Sequence, residues 1–190
     1  RKLGSGNIGG SNVAAHVGKA YFIPVVLVDI LLKGTTPVVL ARVLDLGLGY
    51  QAVVGLLGVV GHNWSLYFHF IGGRGLSTAA GVLLALAPKE FVVVITVGGL
   101  GSLLFRNTAV WSGIAYLLLP LSAMVLGEPR EVIFFCLALV PLLAAKRLDA
   151  NRLKAPEGVP RALLVLRRLV FDRDVSSKED WTGRNSGEVG

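Results

Sequence analysis

Two long stretches of this chain carry no charged residue: one runs from Leu46 to Gly73, the other from Asn107 to Gly127. A helix that crosses the ~30 Å hydrocarbon core of a bilayer needs ~20 mostly apolar residues, and the second stretch meets that requirement outright. Composition agrees, since 53% of the 190 residues are hydrophobic and 16% are charged, against about 25% charged in soluble domains. The chain is therefore read as an all-α, polytopic integral membrane bundle.

Apolar runs define about six spans by that length criterion. They are Tyr21 to Leu44, Leu46 to Gly61, Leu76 to Pro88, Phe91 to Phe105, Thr108 to Leu126 and Val132 to Ala145. With the loop bearing Arg1, Lys2 and Lys19 on the cytoplasmic side, every glycine-rich or strongly basic connection falls on that side. The 19 Lys and Arg against 12 Asp and Glu, a net +7, then follow the positive-inside rule. No basic stretch is interleaved with aromatics as a base-stacking surface would be, so nucleic acid is not an expected partner. The single Cys136 lies in an apolar run and reads as a buried small hydrophobe; it leaves no intrachain disulfide or thiolate metal site. Residues 1–153 are expected to form the membrane unit. The tail 154–190 holds RALLVLRRLVFDRD, suited to an amphipathic helix on the membrane surface or packed on the bundle, and then 15 residues of disorder-prone composition from Ser176.

GSGNIGGSN, Gly4 to Asn12, spells G-x-G-x-x-G, but no buried strand precedes it and a membrane span follows. A Walker loop is excluded as well, because Gly9-Gly10-Ser11 offers no lysine. What survives is physical: successive glycines let backbone N–H groups converge on an anion, and Ser5, Asn7, Ser11 and Asn12 add side-chain donors. A tight turn into a membrane helix would use the same glycines. A second constellation, GHNWSLYFHFIGGRG, sets Gly72, Gly73 and Gly75 around Arg74, whose guanidinium can grip phosphate bidentately. His62 opens that stretch and suits a hydrogen bond to a substrate hydroxyl or phosphate, or a polar place at the interface. Trp64, Tyr67 and Phe68 read as an interfacial aromatic belt.

Neither a G-x-S-x-G elbow, an H-E-x-x-H pair nor an H-x4-D signature is present, which speaks against serine hydrolases, zinc peptidases and the H-x4-D acyltransferases. No metal or cofactor site is expected. Asp29 and Lys33, four apart within the first span, are placed to form an intramembrane ion pair.

GSGNIGGSN, DILLKG, GHNWSLYFHFIGGRG and STAAGVLLAL, in that order, resemble the bacterial acyl-phosphate:glycerol-3-phosphate acyltransferases, and the resemblance runs from Arg1 to about Arg152. It implies a seven-span cell-membrane enzyme with glycine-rich loops on the cytoplasmic side. Such an enzyme moves a fatty acyl group from acyl phosphate to the 1-hydroxyl of glycerol 3-phosphate, giving lysophosphatidic acid and phosphate for phospholipid synthesis. The six spans here and the initial Arg1 fit a chain without the first helix of that family. The resemblance places Ser5, Asn7, His62, Arg74 and Ser112 in the catalytic set. Gly6, Gly9, Ser11, Asn12, Gly72, Gly73 and Lys146 fall in the phosphate pocket. The implied partners are the two substrates and the bilayer, with no obligate protein partner.

Four positions depart from the family pattern. Ala15 stands in place of an arginine, Ala109 of a serine, Lys146 of a histidine and Asp149 of an asparagine. They motivate a second reading from another class, a homologue of weak activity that binds or transports a phosphorylated metabolite or lipid. Acyl phosphate is already activated and needs no covalent nucleophile. With no His–Asp arrangement in the loops, the substrate's own phosphate is expected to take the hydroxyl proton.

Overall fold

The computed structural model of the chain describes residues 9–149 and 158–174. Among them there are helices and turns but no strand. The helices are α1 (Gly10–His16), α2 (Phe22–Val43), α3 (Leu48–Asn63), α4 (Leu76–Leu86), α5 (Pro88–Phe105), α6 (Thr108–Val125), α7 (Arg130–Asp149) and α8 (Arg161–Phe171). α2, α5 and α6 are long and apolar enough to cross a membrane. α2 and α5 each carry a π-helical stretch, Val28–Thr35 and Val94–Leu100. Their outward faces expose Leu, Val and Phe, among them Val43, Leu103, Leu104, Leu117 and Leu121. Apolar surface of that kind is at home in lipid, where every backbone polar group is satisfied within the helix.

α4 is the hub. Eight of its 11 residues, Thr78 to Leu83, Ala85 and Leu86, are buried. Glycine makes this possible at two facing positions: a Cβ on Gly81 would overlap the Ile30 carbonyl oxygen, and one on Gly34 would overlap the Thr78 carbonyl oxygen. Helices without a hydrophobic driving force between them pack through such small residues. The Thr35 hydroxyl adds a hydrogen bond to the Gly81 carbonyl at 2.9 Å. α4 stops at Ala87, held extended (φ −147°, ψ 75°) by the following Pro88, which opens α5. On the other side the core continues through Leu119, Phe135, Cys136 and Leu139 of α6 and α7, and Cys136 is buried as expected.

One expectation changes. The glycine stretch does not stay a loop as far as Asn12, because α1 begins at Gly10 with Gly9 as its cap, putting Ser11 and Asn12 in the first helical turn. Of the two readings of the tail helix, packing on the bundle is the one found: Arg147 of α7 donates to the Leu169 carbonyl at 2.5 Å, and Arg168 donates to the Leu148 carbonyl at 3.3 Å. Ser5, Gly6 and Asn7 lie outside the described residues, as do 150–157 and the tail beyond 174.

Candidate active site

The connection from α3 to α4 folds back on the end of α3. Gly73 N–H donates to the His62 carbonyl at 3.1 Å. A Cβ on Gly72 would overlap that same carbonyl oxygen, and Gly75, at φ +79°, has the Asn63 side chain against it. These glycines therefore fit the loop tightly to its own helix end, and the Gly73 amide is already engaged. The outcome is that Arg74 is presented from a rigid, buried turn.

Arg74 points across the same end of the bundle to the segment after α8. Its Nη1 lies 2.7 Å from Asp172 Oδ1, with the side chains 14% and 19% exposed. Burial pushes the Arg74 guanidinium down from its ordinary value, and Asp172 pulls it back up. Such a group stays charged at any working pH. For Asp172, burial raises the carboxyl above the ordinary aspartate range and outweighs the opposing pull of Arg74 and Arg147.

Three more cationic groups complete this end. Lys146, nearly buried, sits 5.0 Å from the Trp64 ring centre and 3.4 Å from Asp149 Oδ2. Trp64 Nε1 donates to the same Oδ2 at 2.8 Å. Arg147 donates to the Ala109 carbonyl at 2.7 Å and to Ser112 Oγ at 3.2 Å. The third is Arg168, whose Nε is 2.6 Å from Asp174 Oδ1. Cations from the α3–α4 connection, from α7 and from α8 thus meet at one end. A cluster of cations of this kind can hold a phosphorylated group.

The family model described as glycerol-3-phosphate acyltransferase matches residues 1–155. The chain belongs to that family. Glycerol-3-phosphate acyltransferase 5 of Dehalococcoides mccartyi is 34% identical over 98% of this chain and 82% of its own length. The Pseudomonas fluorescens glycerol-3-phosphate acyltransferase is 43% identical over 70% of this chain and 69% of its own length. Among solved structures, the glycerol 3-phosphate form of PlsY (YgiH), an integral membrane glycerol 3-phosphate acyltransferase, is similar at TM-score 0.71 and 34% identity. That match covers 80% of this chain and 77% of PlsY. The lysophosphatidic acid form is similar at TM-score 0.69 and 30% identity, over 85% and 84%.

For this member of the glycerol-3-phosphate acyltransferase family, the structure brings Arg74, Lys146 and Ser112 to one end and sets His62, at the α3 end of the same connection, against Asp29. The His62 side chain is 6% exposed, with Nδ1 3.5 Å from Asp29 Oδ1, and Asp29 also holds Lys33 Nζ at 2.7 Å. The Asp29–Lys33 pair is as the sequence suggests; the His–Asp arrangement missing from the loops exists between α2 and α3. Ser112 is buried against Arg147 and steadies that guanidinium. The Trp64 indole N–H is held by Asp149, which ties this ring to α7, whereas Tyr67 is 93% exposed. Sequence reasoning missed Trp64 and Asp172. The signal for Trp64 was its place two residues after a candidate histidine; Asp172 offered none.

Proposed function

We propose that this end of the bundle transfers a fatty acyl group from acyl phosphate to the 1-hydroxyl of glycerol 3-phosphate, at the cytoplasmic face of a bacterial cell membrane. The carrying observation is the convergence of Arg74, Lys146 and Arg147 on one end of a chain from the glycerol-3-phosphate acyltransferase family. In this reading Arg74 and Lys146 hold substrate phosphate, and Ser112 and Arg147 brace the site beside Ala109. Ser5, Gly6, Asn7, Gly9, Ser11 and Asn12 belong to the glycine stretch assigned to the same phosphate pocket. Residues 1–153 form the catalytic membrane unit and 154–190 its tail.

The reaction forms one C–O bond and breaks another. The glycerol hydroxyl oxygen attacks the acyl carbonyl carbon, the carbonyl oxygen gathers charge, and the bond to the phosphate oxygen then breaks with its electron pair leaving on phosphate. Buried cations at this end offset both charges, and positioning of two bound phosphates supplies much of the rate. The hydroxyl proton goes to the departing phosphate. His62 Nδ1 lies 3.5 Å from Asp29 Oδ1, a carboxylate contact that could orient a histidine base, so the His62→Ala variant is the test that separates the two routes.

The test is phosphate release by the full chain in vesicles given acyl phosphate and glycerol 3-phosphate. Lysophosphatidic acid and phosphate should appear in equal amounts. Folded protein that binds glycerol 3-phosphate without releasing phosphate would instead mark a binding or transport homologue.

A further inference from the structure

The family match ends at residue 155, yet the partner of Arg74 at this end is Asp172, from the tail. Two contacts seat that tail on α7, and a third braces it internally. Arg147 donates to the Leu169 carbonyl, Arg168 donates to the Leu148 carbonyl, and Arg168 pairs with the fully buried Asp174. Asp172 closes α8 in the left-handed region (φ 56°), which turns the chain so that its carboxylate meets Arg74 at 2.7 Å. A carboxylate and a phosphate oxygen ask the same thing of a guanidinium, and both are anions.

We infer that Asp172 is a built-in competitor for the substrate phosphate at Arg74. The tail seats a carboxylate where the anion of glycerol 3-phosphate has to go, and displacing it sets the affinity of this chain for that substrate. This rests on the assignment of Arg74 to substrate phosphate. The Arg74–Asp172 contact is an ion pair without hydrogen-bond alignment, since neither Arg74 Nη1 nor Asp172 Oδ1 has a hydrogen-bond partner. The guanidinium N–H therefore remains to be satisfied by a better-placed anion. Burial of Asp172 is opposed but not cancelled by the two arginines, so its charged form is held at a cost. A phosphate dianion brings more charge to the same cation.

Calorimetric titration of the full chain in detergent micelles with glycerol 3-phosphate, and separately with inorganic phosphate, tests this. Asp172→Asn should tighten both ligands about tenfold, within the range of ordinary coupling between sites. Asp174→Asn breaks the pair with Arg168 and also removes a carboxylate charge that acts on Arg74. It should tighten them in the same direction by less, with the gain over the parent chain kept at high salt, where a bare charge effect is screened, and it decides the matter if Asp172→Asn does not fold. In an Arg74→Gln background, Asp172→Asn should have almost no effect. Unchanged or weaker binding in the Asp172 and Asp174 variants, with Arg74→Gln still weakening binding, would overturn the competitor role alone. Binding unaffected by Arg74→Gln would remove the premise itself.

Discussion

Trp64 and Asp149, 85 residues apart, are joined by a 2.8 Å hydrogen bond from the indole Nε1 to the carboxylate Oδ2. The bond ties the connection after α3 to the last turn of α7, and Lys146 lies over the same ring at 5.0 Å. One aromatic side chain therefore places two charged residues at the site.

Trp64→Phe keeps an apolar ring but removes the donor, so Asp149 loses the indole hydrogen bond while keeping Lys146. Loss of a hydrogen bond to a charged group should cost about 1.5–3 kcal/mol. Thermal unfolding in detergent should drop accordingly, and the KM for glycerol 3-phosphate should rise as Lys146 loses its seat. An unchanged KM would detach Lys146 from substrate binding.

Arg74→Gln should weaken glycerol 3-phosphate by about 10- to 100-fold, the worth of a charge-assisted contact. Arg74→Lys should recover part of that loss, because an ammonium keeps the charge but not the planar fork. Steady-state kinetics of the two variants side by side would check the order.

His62→Ala should slow turnover less than about tenfold, as befits a residue packed on Asp29. Positioned acid–base groups contribute about 10²–10⁴-fold. A fall of that size with binding intact would make His62 the proton acceptor in place of the departing phosphate.

Gly81→Ala should be poorly tolerated, because its methyl would overlap the Ile30 carbonyl. Forced overpacking costs about 1–3 kcal/mol, and backbone against backbone cannot relax by a rotamer change. The measurement is the yield and melting temperature of detergent-purified protein. Ala79→Gly, in the same helix, serves as a comparison that removes volume instead.

The candidate site was half legible. Arg74, flanked by glycines, and Lys146, at a basic helix end, could be read because each sits in a local pattern of residue type and spacing. Ser112 could be placed by resemblance, though its bond to Arg147 could not. His62 was visible as a polar group after a glycine, but its turn toward Asp29 depends on how α2 and α3 cross. The same limit applied to Gly73, whose amide is taken by the carbonyl of His62, and to Gly72, which is a glycine because that carbonyl leaves no room for a Cβ.

By itself, the sequence determined that this chain is a membrane-embedded helical acyltransferase relative with basic, glycine-rich connections. Hydrophobic length and glycine–cation spacing are local properties, readable within about 20 residues. Lys146 and Asp149, three apart on α7, pair by local spacing, whereas only the tertiary structure decided that Arg74 meets Asp172 and showed Arg168 on Asp174. The pair of Arg74 with Asp172 and the hydrogen bond of Trp64 with Asp149 depend on helix ends brought together from distant parts of the chain. Coulomb attraction acts through that juxtaposition and not along the backbone.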